Sequence, residues 1–211
     1  MIMTASLTGQ TVSEFTAALA SGAAVPGGGA ACALVGALGA ALGAMVGAIS
    51  AGKQEGADAM RLEVLTAQAQ ALRGELLELV EQDALAFEPL SRAYRIPRDD
   101  PSRPEILEAC LHEACAVPLK ILRAACQAIE LQRGFAALGG KLVVSDAGTG
   151  AALCRAALQG AALNVYVNTR LMRNRSTANA ANAEAQALTR QYAPLADQIC
   201  ADVAARLTSG R

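Results

Sequence analysis

The sequence predicts an all-α protein, a dimeric bundle of about six helices with a long Gly/Ala-rich buried helix. Three observations carry that expectation. Hydrophobic residues make up 53% of the 211 positions but aromatics only 3%, so the apolar surface is mostly Ala, Leu and Val, which suits closely spaced helices better than a β-sandwich. The long segments repeat apolar residues at steps of three and four, the period of a helix with one buried face. Between Glu14 and Lys53 the chain carries no charge at all, which marks one segment as a tightly packed axis or a membrane span.

Element by element, Thr11-Val12-Ser13-Glu14 fits a capping box, with Thr11 as cap and Glu14 reaching back, and the short helix is expected to stop at Gly22. The uncharged helix begins just after Pro26. In it Leu34, Leu38, Leu42, Met45 and Ile49 form one stripe, and Gly36, Gly39, Gly43 and Gly47 form a second, roughly 100° round, which lets another backbone come close. A bilayer span is the rival reading, since the uncharged length reaches the roughly 20 residues required. It is disfavoured because most of the segment is Ala or Gly and the flanks lack an aromatic belt or a basic cluster. No secretory leader is expected, as the first residues have no basic cluster.

A third helix is expected over residues 57–94, with seam positions Leu62, Leu65, Ala69, Leu72, Leu76, Leu79, Asp83, Ala86 and Leu90. The Pro97 to Pro104 segment reads as a loop. The fourth helix runs from about Pro104 to Gly134, kinked at Pro118. Gly139 and Gly140 break the chain, Lys141 to Val144 is extended or a loose turn, and Ser145 or Asp146 caps a fifth helix through about Leu171. The sixth starts near Ser176, with an Ala/Asn-rich opening from Thr177 to Asn182 expected to fray, and bends at Pro194. No repeat, charged tail or linker divides the sequence, so residues 1–211 are expected to form a single domain.

The net charge of −1 gives no general attraction to nucleic acid or anionic lipid, so neither is an expected partner. Small side chains fill little volume, and a core built from them is expected to be completed by a second copy in a homodimer. The six cysteines contain no CxxC pair and read as small buried hydrophobes of a cytoplasmic, reducing environment. His112 is the only histidine, which argues against a histidine-rich metal site and reads as structural or surface.

Asp83 is the sharpest chemical signal, a carboxylate in a seam of leucines and alanines. Burial there raises its pKa and suits a proton acceptor or a partner for a cationic ligand; pairing with an arginine of a neighbouring helix is the structural alternative. Asn164 and Asn168, four apart, face the same way from an apolar helix; paired amides can read a heterocycle's edge or bond to another helix. Pro26 and Gly27, Gly28 and Gly29 leave backbone amides bare for a ligand at a helix start. Lys53 sits where the helix dipole favours a cation. The run from Leu142 to Gly150 looks like the strand-to-glycine-loop entry of an adenosylmethionine-dependent methyltransferase, but no acid follows at the ribose position and no alternating strands surround it.

Seven ordered blocks carry a family likeness: Ala24-Val25-Pro26-Gly27-Gly28-Gly29, Gly36 to Gly43, Gly52-Lys53, Asp83-Ala84-Leu85-Ala86-Phe87, Val117-Pro118-Leu119, Ser145-Asp146 and Gly160 to Asn168. They resemble the cyclodeaminase/cyclohydrolase family of folate one-carbon enzymes, which includes the C-terminal domain of formiminotransferase-cyclodeaminase and the stand-alone methenyltetrahydrofolate cyclohydrolases. The resemblance implies an all-α dimer that binds reduced folate in a cleft between helices, with no metal and no cofactor other than the tetrahydrofolate derivative that is its substrate. It implies catalysis by Asp83, pterin binding by Asn164, Asn168 and Ser145-Asp146, folate contact at Pro26 and Gly27 to Gly29, and capture of the glutamate carboxylates by Lys53.

The sequence departs from the family pattern at Ala30, at Gln54, Glu55 and Gly56, and at Gly140 and Leu142. The chain length and the Asn-Val-Tyr-Val-Asn block resemble the cyclohydrolase branch more; cyclodeamination, or a non-catalytic dimer of the same fold, are the alternatives. In an unbroken helix Lys53 lies about 35 Å from the triple glycine. One folate cannot touch both, so either the helix breaks or its ends serve different subunits' sites.

Overall fold

The structure, a computed structural model, describes residues 6–209. A 3-10 turn, Leu7–Gly9, leads to six helices: α1 (Val12–Leu19), α2 (Gly28–Ala51), α3 (Gly56–Ala93), α4 (Arg103–Leu138), α5 (Val144–Thr169) and α6 (Arg175–Thr208). Among the described residues there is no strand. The methyltransferase-like run is therefore a turn followed by the opening of α5, not a strand and loop.

Local chemistry sets most helix ends. The Thr11 and Glu14 side chains form the full capping box at α1, which ends at Leu19 rather than Gly22 because the Ser21 hydroxyl donates to the Ala18 carbonyl. α4 passes through Gly134 to Leu138: a Cβ at Gly134 would stand 2.7 Å from Leu65 Cδ1, so this glycine answers a close approach and not a helix end. The residue before α5 is Val143, with no side-chain cap, and Ser145 and Asp146 lie inside the first turn, so neither caps it. The Asn174 side chain caps α6 by accepting from the Thr177 amide. The opening expected to fray is instead pinned, with Ala178 and Ala181 buried and Asn182 Oδ1 accepting from the Thr169 hydroxyl.

α2 lies against α3, α4 and α5, and α6 covers α5 and α4. Its glycine stripe is the contact. A Cβ at Gly36 would sit 3.3 Å from Leu76, one at Gly39 3.0 Å from the Gly150 carbonyl, and one at Gly43 2.7 Å from the Phe135 ring. Three helices thus crowd one face at near-backbone distance, where only glycine and alanine fit. The large side chains are displaced outward: Leu38, Met45 and Ile49 are exposed, and Leu34 and Leu42 half-buried. α2 is the one helix among the described residues long and apolar enough to cross a membrane, and its own chain covers its glycine face.

The leucine seam of α3 is buried as its period requires, at Leu72, Leu76, Leu79 and Leu90 against Ile121, Leu122 and Ile129 of α4, and at Leu62 in a second cluster with Val46 and Phe135. A polar tie crosses this apolar interior. Gln132 of α4, fully buried, donates from Nε2 to the Gly39 carbonyl of α2 at 2.7 Å.

Candidate active site at the start of α2

Gly27 precedes the first turn of α2, whose leading amides have no acceptor within the helix. One of them, the Ala30 amide, donates to Asp83 Oδ2 at 2.8 Å. Asp83 reaches this position from the α3 seam and is half-buried. The glycines make room for it, since a Cβ on Gly29 would collide with Asp83 Oδ1. Among the described residues no Arg, Lys or His pairs with Asp83. Burial pushes its carboxyl above the usual carboxylate range, and the Ala30 N–H partly offsets the rise.

These groups border a cavity of about 180 Å³. Asn164 and Asn168 of α5 line it opposite Asp83, together with Phe87, Ala114, Pro118 and Val167. Pro118 explains how Asn168 is held. A proline has no N–H, so the carbonyl four residues earlier in α4, that of Ala114, loses its helical donor. Asn168 Nδ2 donates to that Ala114 carbonyl at 3.1 Å, and also to the Asn164 carbonyl at 3.0 Å. Asn164 Nδ2 donates to the Gly160 carbonyl at 2.9 Å. With both amide nitrogens committed to backbone, the two Oδ1 atoms remain as acceptors for a ligand.

Gly27, Gly28, Gly29, Asp83, Asn164 and Asn168 therefore converge, as the sequence led us to expect. Pro26 is buried behind them and does not line the cavity. Lys53 is not with them: 24 helical residues put it about 36 Å away along α2. Ser145 and Asp146 are at that same far end, because α5 runs antiparallel to α2, with Asn164 beside Gly28 and Cys154 beside Gly39. The sequence reading missed Phe87, Ala114, Pro118 and Val167 as wall residues. Phe87 is one helical turn from Asp83 and Val167 one turn from Asn164, so their helical spacing was the available signal.

Two larger grooves, about 590 and 520 Å³, lie elsewhere, one lined by Gln68, Arg123 and Tyr192 and the other by Leu85, Cys110 and Lys120. Neither contains a residue that the sequence reading proposed as catalytic or substrate-binding. His112 is exposed beside Glu113. The cysteines are free, and burial pushes the Cys32 thiol near Asp83 up to about 11, which keeps it neutral. No group of three or more His, Cys, Asp or Glu side chains with metal-site geometry occurs among the described residues.

The model of the family described as Formiminotransferase-cyclodeaminase matches residues 11–187, a span that contains the whole cavity. The chain belongs to the formiminotransferase-cyclodeaminase family. This family member is 32% identical over 90% of its length to a methenyltetrahydrofolate cyclohydrolase of Methylorubrum extorquens, of which it covers 94%. It is 28% identical over 79% of its length to the formimidoyltransferase-cyclodeaminase of Rattus norvegicus, of which it covers only 32%. Its fold matches the crystal structure of formiminotetrahydrofolate cyclodeaminase from Thermotoga maritima with a TM-score of 0.78 at 24% identity, over 92% of this chain and 98% of that one.

Proposed function

We propose that this family member hydrolyses 5,10-methenyltetrahydrofolate to 10-formyltetrahydrofolate. One observation carries the reading: a half-buried carboxylate with no cationic partner, Asp83, faces a cavity that also offers free helix amides and two carboxamide oxygens. A carboxylate desolvated in this way calls for a cationic ligand, and the methenyl bridge is a cation spread over N5, the bridge carbon and N10. Phe87 and Pro118 supply apolar walls for a flat ring, and Asn164 and Asn168 supply acceptors for the pterin N–H groups.

In this reaction Asp83 takes a proton from the attacking water as its oxygen bonds to the bridge carbon. It returns that proton to N5 as the C–N5 bond breaks, and the remaining hydroxyl proton leaves to solvent as the formyl carbonyl forms on N10. The products are 10-formyltetrahydrofolate and one proton. The amides of Gly28 and Gly29 stand in the first turn of α2, where the helix start favours an electronegative ligand atom.

The cyclohydrolase relative, matched over nearly its full length, favours this reaction. A second reading is cyclodeamination, favoured by the fold of the Thermotoga maritima enzyme. There N10 attacks the formimidoyl carbon, ammonia leaves, and Asp83 supplies its proton. Spectrophotometric turnover of 5,10-methenyltetrahydrofolate, set beside ammonia release from 5-formimidoyltetrahydrofolate, separates the two. Folate binding with turnover of neither would indicate a non-catalytic dimer. The reading includes a soluble cytoplasmic homodimer that needs no metal or cofactor and binds neither nucleic acid nor membrane.

A further inference from the structure

The segment that precedes α2 is tied to the helices at its two ends and hardly between them. At the first end the Glu81 carboxylate of α3 gathers three donors on one oxygen: the Ser6 hydroxyl at 2.6 Å, the Thr8 N–H at 2.8 Å and the Thr8 hydroxyl at 2.9 Å. Burial alone would lift the Glu81 carboxyl, but these donors and the Leu7 N–H hold it below the ordinary range, so it stays ionised and the bonds are charge-assisted. Beside them Phe15, the one buried residue of α1, shares a cavity of about 200 Å³ with Leu34 of α2 and Leu77 and Val80 of α3. The segment does not fill the space beneath it.

From Thr16 to Ala24 no residue is buried. The chain then reaches the mouth of α2, where Ala24, Val25 and Gly27 line the Asp83 cavity. A stretch with so few buried contacts opens at low cost, so its closed position depends on its anchors. Glu81 stands two residues before Asp83, about 200° round α3, and takes no part in the cavity wall.

We propose that residues 6–26 form a strap over the folate site, latched by Glu81, which is a positioning residue for the cavity wall at Ala24 and Val25. The inference rests on the reading of that cavity as a folate site. With the latch closed, Ala24 and Val25 keep water from one side of the bound ring. With it open, that wall leaves, while Asp83 and the Ala30 amide, both held within helices, stay in place. By linkage, a ligand that touches the wall closes the strap by the same factor by which the latch tightens the ligand.

Two readouts test the strap. Glu14 is the only acid among the first 54 residues, so cleavage after it by a glutamate-specific protease reports the open form. Glu81→Ala is expected to speed that cleavage about tenfold, and saturating 10-formyltetrahydrofolate to slow it in the wild type. In steady-state hydrolysis of 5,10-methenyltetrahydrofolate, Glu81→Ala is expected to raise KM about tenfold through the lost apolar wall, with kcat within about twofold of wild type. Glu81→Gln, whose amide oxygen accepts from the same donors, is expected to restore most of both. Phe15→Ala releases the second anchor without touching α3 and is expected to show the same split. Unchanged cleavage or KM in either alanine variant overturns the inference, as does a Glu81→Gln as impaired as Glu81→Ala. So does a fall in kcat as large as the rise in KM, or a loss of helical circular dichroism in Glu81→Ala, either of which makes Glu81 a residue of the fold at large. A wild type that turns over neither folate substrate overturns the proposed function instead, and the cleavage rates of the unliganded chains then still decide the latch.

Discussion

The proposed chemistry falls to Asp83, whose ionisation is opposed by burial. Its carboxyl is raised by burial and only partly relieved by the Ala30 amide. A carboxyl whose folded pKa lies above its unfolded value stabilises the fold in its protonated form; that contribution is present below the unfolded pKa and is lost as pH rises through the folded one. Asp83→Asn, which keeps an acceptor for Ala30 without the charge, is therefore expected to melt at a higher temperature than wild type at neutral pH, with the gap closing in acid. The same substitution is expected to lower kcat by roughly 10²–10⁴, the usual range for a positioned acid-base group. With Asp83 as the base of the proposed reaction, the acid limb of kcat/KM is expected to lie above the ordinary carboxylate range, which a pH profile checks.

At the scale of elements, α2 is held by what its glycines exclude. Gly43→Ala drives a methyl against Phe135 and Gln132 and is expected to cost about 1–3 kcal/mol in chemical denaturation. Gly74→Ala on α3 meets nothing within 4 Å and should instead stabilise by about 0.5–1 kcal/mol. In α4, Pro118→Ala restores an N–H that competes with Asn168 for the Ala114 carbonyl. Steady-state kinetics should show KM rising more than kcat falls, because substrate binding loses a positioned amide while Asp83 stays in place. The helices were legible because their apolar period survives in the sequence, and Asp83, Asn164 and Asn168 because a polar group interrupts an apolar run. The rest depended on contacts distant in the chain. Gly134 looks like a stop until Leu65 is seen against it, and Pro118 looks like a kink until Asn168 arrives to use the freed carbonyl. Periodicity also defined two stripes on α2 without saying which turns inward; the closeness of three neighbouring helices decides for glycine.

For the whole molecule, the displaced leucines link fold to function. By filling its inner face with glycine, α2 presents Leu38, Met45 and Ile49 outward. In the proposed homodimer Leu38→Glu puts a charge on that exposed face, and light scattering is expected to show a monomer whose helical circular dichroism is intact. The proposed function rests on the reaction at Asp83. Its most direct test follows the spectrophotometric loss of 5,10-methenyltetrahydrofolate with purified wild type and Asp83→Asn side by side. Hydrolysis to 10-formyltetrahydrofolate by the wild type and a loss of at least a hundredfold in the variant are expected; wild-type rates from a folded Asp83→Asn, or no hydrolysis by the wild type, would contradict the proposed function.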